Sequence, residues 1–164
     1  MFRVLSFFLV ILASSCAGPN NWKLDELAAG NRSFDSSRLK YFNPNHPPSP
    51  LEFELLRVGE NVEAFVSLKR NHFSGNSSEF VKASFNLGDE SYDEEIPLRE
   101  GAMRVRLSLE TAKRLTQALQ EGKNVSILID GYEQILESDR FSRTFSQFLG
   151  KRYQDENLFK GPIQ

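Results

Sequence analysis

The chain is poor in the residues that most often carry chemistry: among 164 residues there is one cysteine, Cys16, and there are two histidines. A single cysteine excludes an intramolecular disulfide and any metal site built on several thiolates. Basic charge is not in excess either, with 20 Lys and Arg against 22 Asp and Glu and a formal net charge of -2. Because the basic residues are scattered, the sequence makes no electrostatic case for a nucleic-acid partner. No internal repeat is visible, which argues against a propeller or a solenoid. The longest apolar run, residues 4–13, is too short for a comfortable membrane span. The body of the chain carries no catalytic, cofactor-binding or metal-binding motif with the spacing such sites need.

What is present suits one soluble globular domain: 40% of residues are hydrophobic and 26% charged, and the length allows a single core but not two ordinary ones. The clearest stretch is 101–131. Met103, Val105, Leu107 and Leu109 alternate with Arg104, Arg106 and Ser108, the period of a half-buried strand. The period then changes, and Ala112, Leu115, Ala118 and Leu119 form a helical stripe over about 109–121. Ser108 is its expected N-cap, Glu110 complements the positive end of its dipole, and Gly122 is its expected stop. Val125, Ile127 and Ile129 return to strand alternation.

Such a unit needs further strands to dock on. Segments 51–58 and 61–70 both alternate and are joined by Gly59-Glu60, so a hairpin is expected. Segment 80–87 adds a strand with Val81, Ala83, Phe85 and Leu87 inward, and a short strand is expected around Ile96 to Leu98. After Asp130, Gly131-Tyr132 reads as a turn and Glu133 to Leu136 as a last short strand. Phe141, Phe145, Phe148 and Leu149 then mark a second helix over about 139–149, with Ser138 as cap and Gly150 as stop. This stripe is expected to cover the sheet; the alternative, with Arg140 and Arg143 beside it, is contact with an anionic membrane surface. The expected fold class is α+β: a mostly antiparallel β-sheet with both helices packed on one side.

The N-terminus has its own organisation. Arg3, the apolar run 4–13 and the small residues after it follow the three-part layout of a signal peptide over 1–15. Ala13-Ser14-Ser15-Cys16 resembles the lipobox of bacterial lipoproteins, although that family prefers leucine where Ala13 stands. The resemblance covers only the leader. It implies cleavage before Cys16, a diacylglycerol on its sulfur and residence on a bilayer surface, and Ala17 after the cysteine leans toward the outer membrane over the inner one. The alternative is a plain secreted protein cleaved after Ala17. Residues 16–50, rich in Asn, Ser, Gly and Pro, are expected to form a flexible tether with an end-to-end distance on the order of 30 Å; the alternative is that part of this region, with Leu39, Tyr41 and Phe42 packed back on the body, is the first ordered element. The folded domain is expected over 51–150, and 151–164 as a frayed tail.

Two constellations stand out. His72 lies near Ser74, Ser77 and Ser78, and Asp130 ends a strand, which raises the alternative of a lipid-anchored hydrolase using His72. No G-x-S-x-G turn surrounds these serines, so no catalytic residue is assigned. Asp89, Glu90, Asp93, Glu94 and Glu95 form an acidic run without the alternating ligands and central glycine of a calcium loop, so neither metal nor cofactor is assigned. It reads as a solvated turn whose charge discourages edge pairing. The order helix, glycine-lysine, strand, phenylalanine-rich helix over about 109–149 faintly resembles the C-terminal half of exported bacterial proteins of the invasion-associated B type, whose cysteines are absent here, and no function is carried over. The expectation is a lipid-anchored, non-enzymatic envelope protein, with Cys16 as its one assigned functional residue and an envelope protein or ligand of unknown identity as its partner.

Overall fold

A computed structural model describes residues 21–27, 35–42, 50–59, 61–69, 71–74, 79–98 and 101–150. The leader, Cys16, Ser77, Ser78 and the tail 151–164 lie outside the described residues. The strands are β1 (Trp22–Leu27), β2 (Ser36–Tyr41), β3 (Leu51–Val58), β4 (Asn61–Leu68), β5 (Phe80–Asn86), β6 (Ser91–Pro97), β7 (Arg104–Arg106), β8 (Val125–Ile129) and β9 (Tyr132–Leu136). The helices are α1 (Leu109–Gln120), between β7 and β8, and α2 (Phe141–Leu149), after β9. Every strand pairing is antiparallel, so the α+β class with antiparallel sheets holds.

The strands divide into two sheets, in the orders β1-β2-β3-β4-β7 and β6-β5-β8-β9. The sheets approach each other where β7 runs beside β6 and β3 beside β9. Helix α1 packs on strands of both sheets, β4 on one and β8 and β6 on the other, while α2 lies against β1, β2 and α1. The inward side chains of both sheets and both helices therefore form one continuous cluster. Phe141, Phe145 and Phe148 lie inside it and are essentially inaccessible, so α2 is a core helix.

Residues 16–50 are not a tether throughout. Residues 22–27 and 36–41 are the first two strands of the larger sheet, so the domain begins no later than Asn21 and not at Leu51. Trp22, Leu24, Leu39 and Tyr41 turn toward the core at alternate positions, and the residues between them carry charge outward. One apolar residue in two, separated by Lys, Asp and Arg, leaves a weak hydrophobic signature, yet it suffices for a sheet with one wet face.

Local chemistry explains the turns. Val58 pairs with Asn61 across Gly59-Glu60, and Gly59 takes a φ of 58°. Ile129 pairs with Tyr132 across Asp130-Gly131, whose φ values of 51° and 79° are those of a type I′ hairpin turn. The turn thus falls one residue earlier than Gly131-Tyr132. β7 has only three residues, so Met103 lies outside it and Leu109 begins the helix; both are exposed, at 47% and 38%, against the expected inward alternation. Val105 and Leu107 are buried as expected.

Helix α1 starts at Ser108, whose Oγ accepts from the Thr111 N–H at 3.2 Å. It ends with Gly122 N–H donating to Leu119 O at 3.2 Å and Lys123 N–H to Ala118 O at 3.0 Å, the paired closure that a left-handed glycine permits. Ser138 does not cap α2. Its hydroxyl donates to Gly122 O at 2.8 Å, and Ser142 Oγ donates to Gln120 O at 3.2 Å, so both serines satisfy carbonyls at the end of α1. The residue before α2 is Arg140, in a left-handed conformation with φ 58° and no side-chain cap.

If β1 is an integral strand, Trp22→Ala removes a side chain that is 1% exposed and lowers stability by roughly 3–5 kcal/mol in urea denaturation. A loss below about 0.5 kcal/mol, the range of surface substitutions, would mean that residues 22–27 are dispensable to the core.

Candidate functional site

The three residue types of a possible triad meet only in part. Ser74 donates to Asp130 twice, from its N–H at 2.7 Å and from Oγ at 2.7 Å, which ties loop 71–74 to the β8–β9 turn. His72 is exposed, and its Nδ1 lies 2.6 Å from Gly101 O, so that nitrogen carries a proton and donates it to the carbonyl. In a triad the imidazole stands between hydroxyl and carboxylate. Here the carboxylate holds the hydroxyl directly and the imidazole is bonded to backbone. Asp130 clamps a loop.

The acidic run is likewise dispersed by strand geometry. Asp93, Glu94 and Glu95 lie in β6, an edge strand, where successive side chains leave opposite faces. Asp93 and Glu95 point outward, whereas Glu94 turns inward and accepts from Thr111 Oγ1 at 2.5 Å. Asp93 is bound by Lys82 Nζ at 2.8 Å and Ser84 Oγ at 2.7 Å. Those bonds hold the Asp93 carboxyl below the usual aspartate value, chiefly through Lys82 and then Ser84. Among the described residues no group of three or more His, Cys, Asp or Glu side chains could hold a metal ion.

Asp93 lines an open cleft of about 510 Å³ on the outward face of the four-stranded sheet. Strand pairing builds it. Ser84 is flanked by Asp93 on one side and Leu128 on the other, and Leu128 by Glu133. Ser126 Oγ donates to Glu133 Oε1 at 2.6 Å, so hydroxyls hold both carboxylates in place. Leu128, 43% exposed, offers an apolar contact in the middle of this polar frame. The arrangement suits a ligand with hydrogen-bond donors around an apolar portion. The sequence reading missed it, although Ser84, Asp93 and Ser126 at outward positions of alternating strands were its visible signal.

The outward face of the five-stranded sheet is a charge ladder. Glu54, only 6% exposed, accepts a hydrogen bond from Arg104 Nη2 and forms ion pairs with Arg38 Nε at 3.4 Å and Lys40 Nζ at 3.5 Å. Arg104 also lies over the Phe65 ring, 3.6 Å from its centroid. A carboxylate this far from water needs such partners, since an isolated buried charge is strongly unfavourable. Glu52 is bound by Lys40 and by Lys69, the latter at 3.1 Å.

No family model matches the chain, and no curated protein or solved structure shows significant similarity to it.

The ladder has a pH signature. Burial, the largest influence on Glu52, pushes its pKa up, but the hydrogen bonds and charges of Lys40 and Lys69 together outweigh it and leave the carboxyl below its ordinary value of 4.5. A carboxyl whose pKa is depressed on folding contributes stability above its unfolded value and loses it as pH falls through the folded value. Wild type should therefore exceed Glu52→Gln in urea stability at neutral pH, and the gap should close on acidification below the glutamate range. A gap that stays constant with pH would show that these ion pairs contribute nothing.

Proposed function

We propose that this chain is exported, held on a bilayer surface by lipid attached to Cys16, and acts there as a non-enzymatic module that binds or scaffolds another envelope component. The observation that carries the reading is the leader, in which one positive charge, an apolar run over 4–13 broken only by Ser6, and Ala13-Ser14-Ser15-Cys16 follow one another in order. Among the described residues no helix is long and apolar enough to cross a membrane. Lipid supplies attachment by another route: each buried methylene contributes about 0.8 kcal/mol, and several acyl chains together hold a protein durably where one does so only marginally. Ala17 after the cysteine favours the outer membrane.

The binding surface in this reading is the cleft around Leu128. Its hydroxyls and carboxylates are already fixed by bonds to one another, so a partner meets a preorganised face and little side-chain freedom is lost. The partner is an envelope protein or ligand that donates hydrogen bonds to Asp93 and Glu133 and covers Leu128.

Two measurements test this. Radiolabelled palmitate should enter the wild-type chain and not Cys16→Ala; a mature chain that begins at Gly18 and partitions into water would sink the anchoring. A photo-crosslinking residue placed at Leu128 should capture a discrete partner in intact cells while one at Lys113 on α1 does not. Equal capture from both positions would remove the cleft from the proposal.

A further inference from the structure

Register decides which charges share a face. On the outward face of the five-stranded sheet, six cations among the described residues, Lys23, Arg38, Lys40, Lys69, Arg104 and Arg106, stand against four carboxylates, Asp25, Glu52, Glu54 and Glu63, an excess of two positive charges. The signs are also layered by depth. The side chains of Glu54 and Glu52 are 8% and 19% exposed, whereas those of Arg38, Lys69 and Arg104 are 46%, 49% and 41% exposed. Glu52 and Glu54 thus lie against the sheet beneath the cations paired with them, while Asp25 and Glu63, 50% and 34% exposed, stay at the surface beside Lys23 and Arg106, so over β3 an approaching body meets positive charge first.

The other sheet has the opposite sign. Among the described residues its outward face carries Lys82 against Asp93, Glu95 and Glu133, an excess of two negative charges. The chain is electrically two-sided, although its net charge is only -2.

Chain length ties one of these sides to the membrane. β1 is the outermost strand of the cationic sheet and begins at Trp22. From Cys16 to Trp22 the chain advances six residues, which span at most roughly 20 Å when fully extended. Lipid on Cys16 therefore keeps the outer edge of this sheet within reach of the headgroups, together with Glu137 and Phe141, which pack against Asn21 and Trp22. Leu27 and Val58, on either side of Ser36 on the same face, are exposed and can enter the headgroup layer.

Resting on the anchoring proposed above, we infer that the outward face of the five-stranded sheet lies on the phosphate-bearing, anionic headgroups of the bilayer that holds Cys16. Arg38, Lys69, Arg104 and Arg106 make the contacts. The cleft on the four-stranded sheet is thereby turned toward the aqueous side, where a partner can reach it.

The test uses the full lipidated chain reconstituted into vesicles of phosphatidylcholine alone or mixed with phosphatidylglycerol. Acylation blocks the thiol of Cys16, so a single added cysteine can carry a fluorophore: Ser67→Cys on the cationic face, Ser126→Cys on the other. Lipids with a nitroxide on the headgroup should quench the Ser67→Cys label several-fold more than the Ser126→Cys label when phosphatidylglycerol is present. The difference should shrink toward none in phosphatidylcholine, at high salt, and when Lys69→Glu and Arg106→Glu are combined. The lipid-charge and salt comparisons need no charge-reversal variant, so they stand even if that variant does not fold. Equal quenching of both labels in phosphatidylglycerol, or a difference indifferent to lipid charge and salt, would overturn the orientation. Flotation separates the two proposals: a chain that floats with vesicles but shows no preferred face leaves the anchoring intact, whereas one that does not float brings down both.

Discussion

The fold depends on a junction between the two ends of its described chain, and Trp22 makes it. The indole packs edge-on against Tyr41 at 4.9 Å and Phe141 at 4.7 Å between ring centroids, and its Nε1–H donates to Glu137 O at 2.9 Å. Beside it, Asn21 Nδ2 donates to the Glu137 carboxylate at 2.6 Å. A strand from the start of the domain and a helix from its end are thus joined across more than a hundred residues. β1 is an edge strand with β2 as its one ladder partner, and α2 has nine residues, so neither has much local stability. Each is held by burial against the other, and the stacked Phe141, Phe145 and Phe148 carry that burial along the helix axis.

How much of this was legible follows from how each residue's environment is encoded. Where one face of an element is continuously apolar the sequence was sufficient: Leu51, Phe53 and Leu55 in β3, Val81, Ala83 and Phe85 in β5, and the Ala112 to Leu119 stripe of α1 are buried as their spacing requires. It failed for β1 and β2, where the inward residues are separated by Lys23, Asp25, Arg38 and Lys40. Those charges read as solvent-seeking loop when taken one at a time. They become reasonable strand residues once register sets Arg38 and Lys40 beside Glu54, a pairing fixed by contacts between distant segments and invisible to a local window. The split into two sheets was hidden for the same reason, since alternation tells which way a side chain points but not which strand lies next to it. Ser138 shows a third limit. A serine three residues before an apolar stripe satisfies the pattern of a cap, yet the carbonyls at the end of α1 lie nearer to its hydroxyl than the amides of α2 do.

The candidate site divides along the same line. Ser74 and Asp130 were recognisable as residues, but their relation to His72 is a matter of three-dimensional placement, and there the imidazole is bonded to Gly101 instead. The cleft around Leu128 and the ladder on Glu54 both arise from cross-strand neighbours. Each strand alone shows only a period-two scatter of polar residues: Glu52 and Glu54, Arg38 and Lys40, Arg104 and Arg106. That the acidic outward residues of β3 and β4 stand between the basic pairs of β2 and β7 is the signal a reader could use, once the strand order is known. Sheets with one solvated face distribute function this way, because the outward residues are free of packing constraints and their meaning lies in adjacency.

If Cys16 carries lipid as proposed, the two-sided charge gains its significance from the short connection to it. For a free protein in salt, exposed ion pairs contribute little, typically under about 1 kcal/mol each, and attraction fades within a Debye length of roughly 8–10 Å. An anchored domain is in a different regime. Once lipid fixes one end, approach of the sheet to the surface becomes an intramolecular step at high effective concentration, and a weak preference for one face is enough to select an orientation. A tether of thirty-odd residues would dilute that preference by allowing the domain to roam on the order of 30 Å from the bilayer. With β1 beginning at Trp22 the allowance is six residues. Under the proposed anchoring, the early start of the domain, which a local reading of polar residues conceals, is what would let a modest surface charge turn the cleft outward.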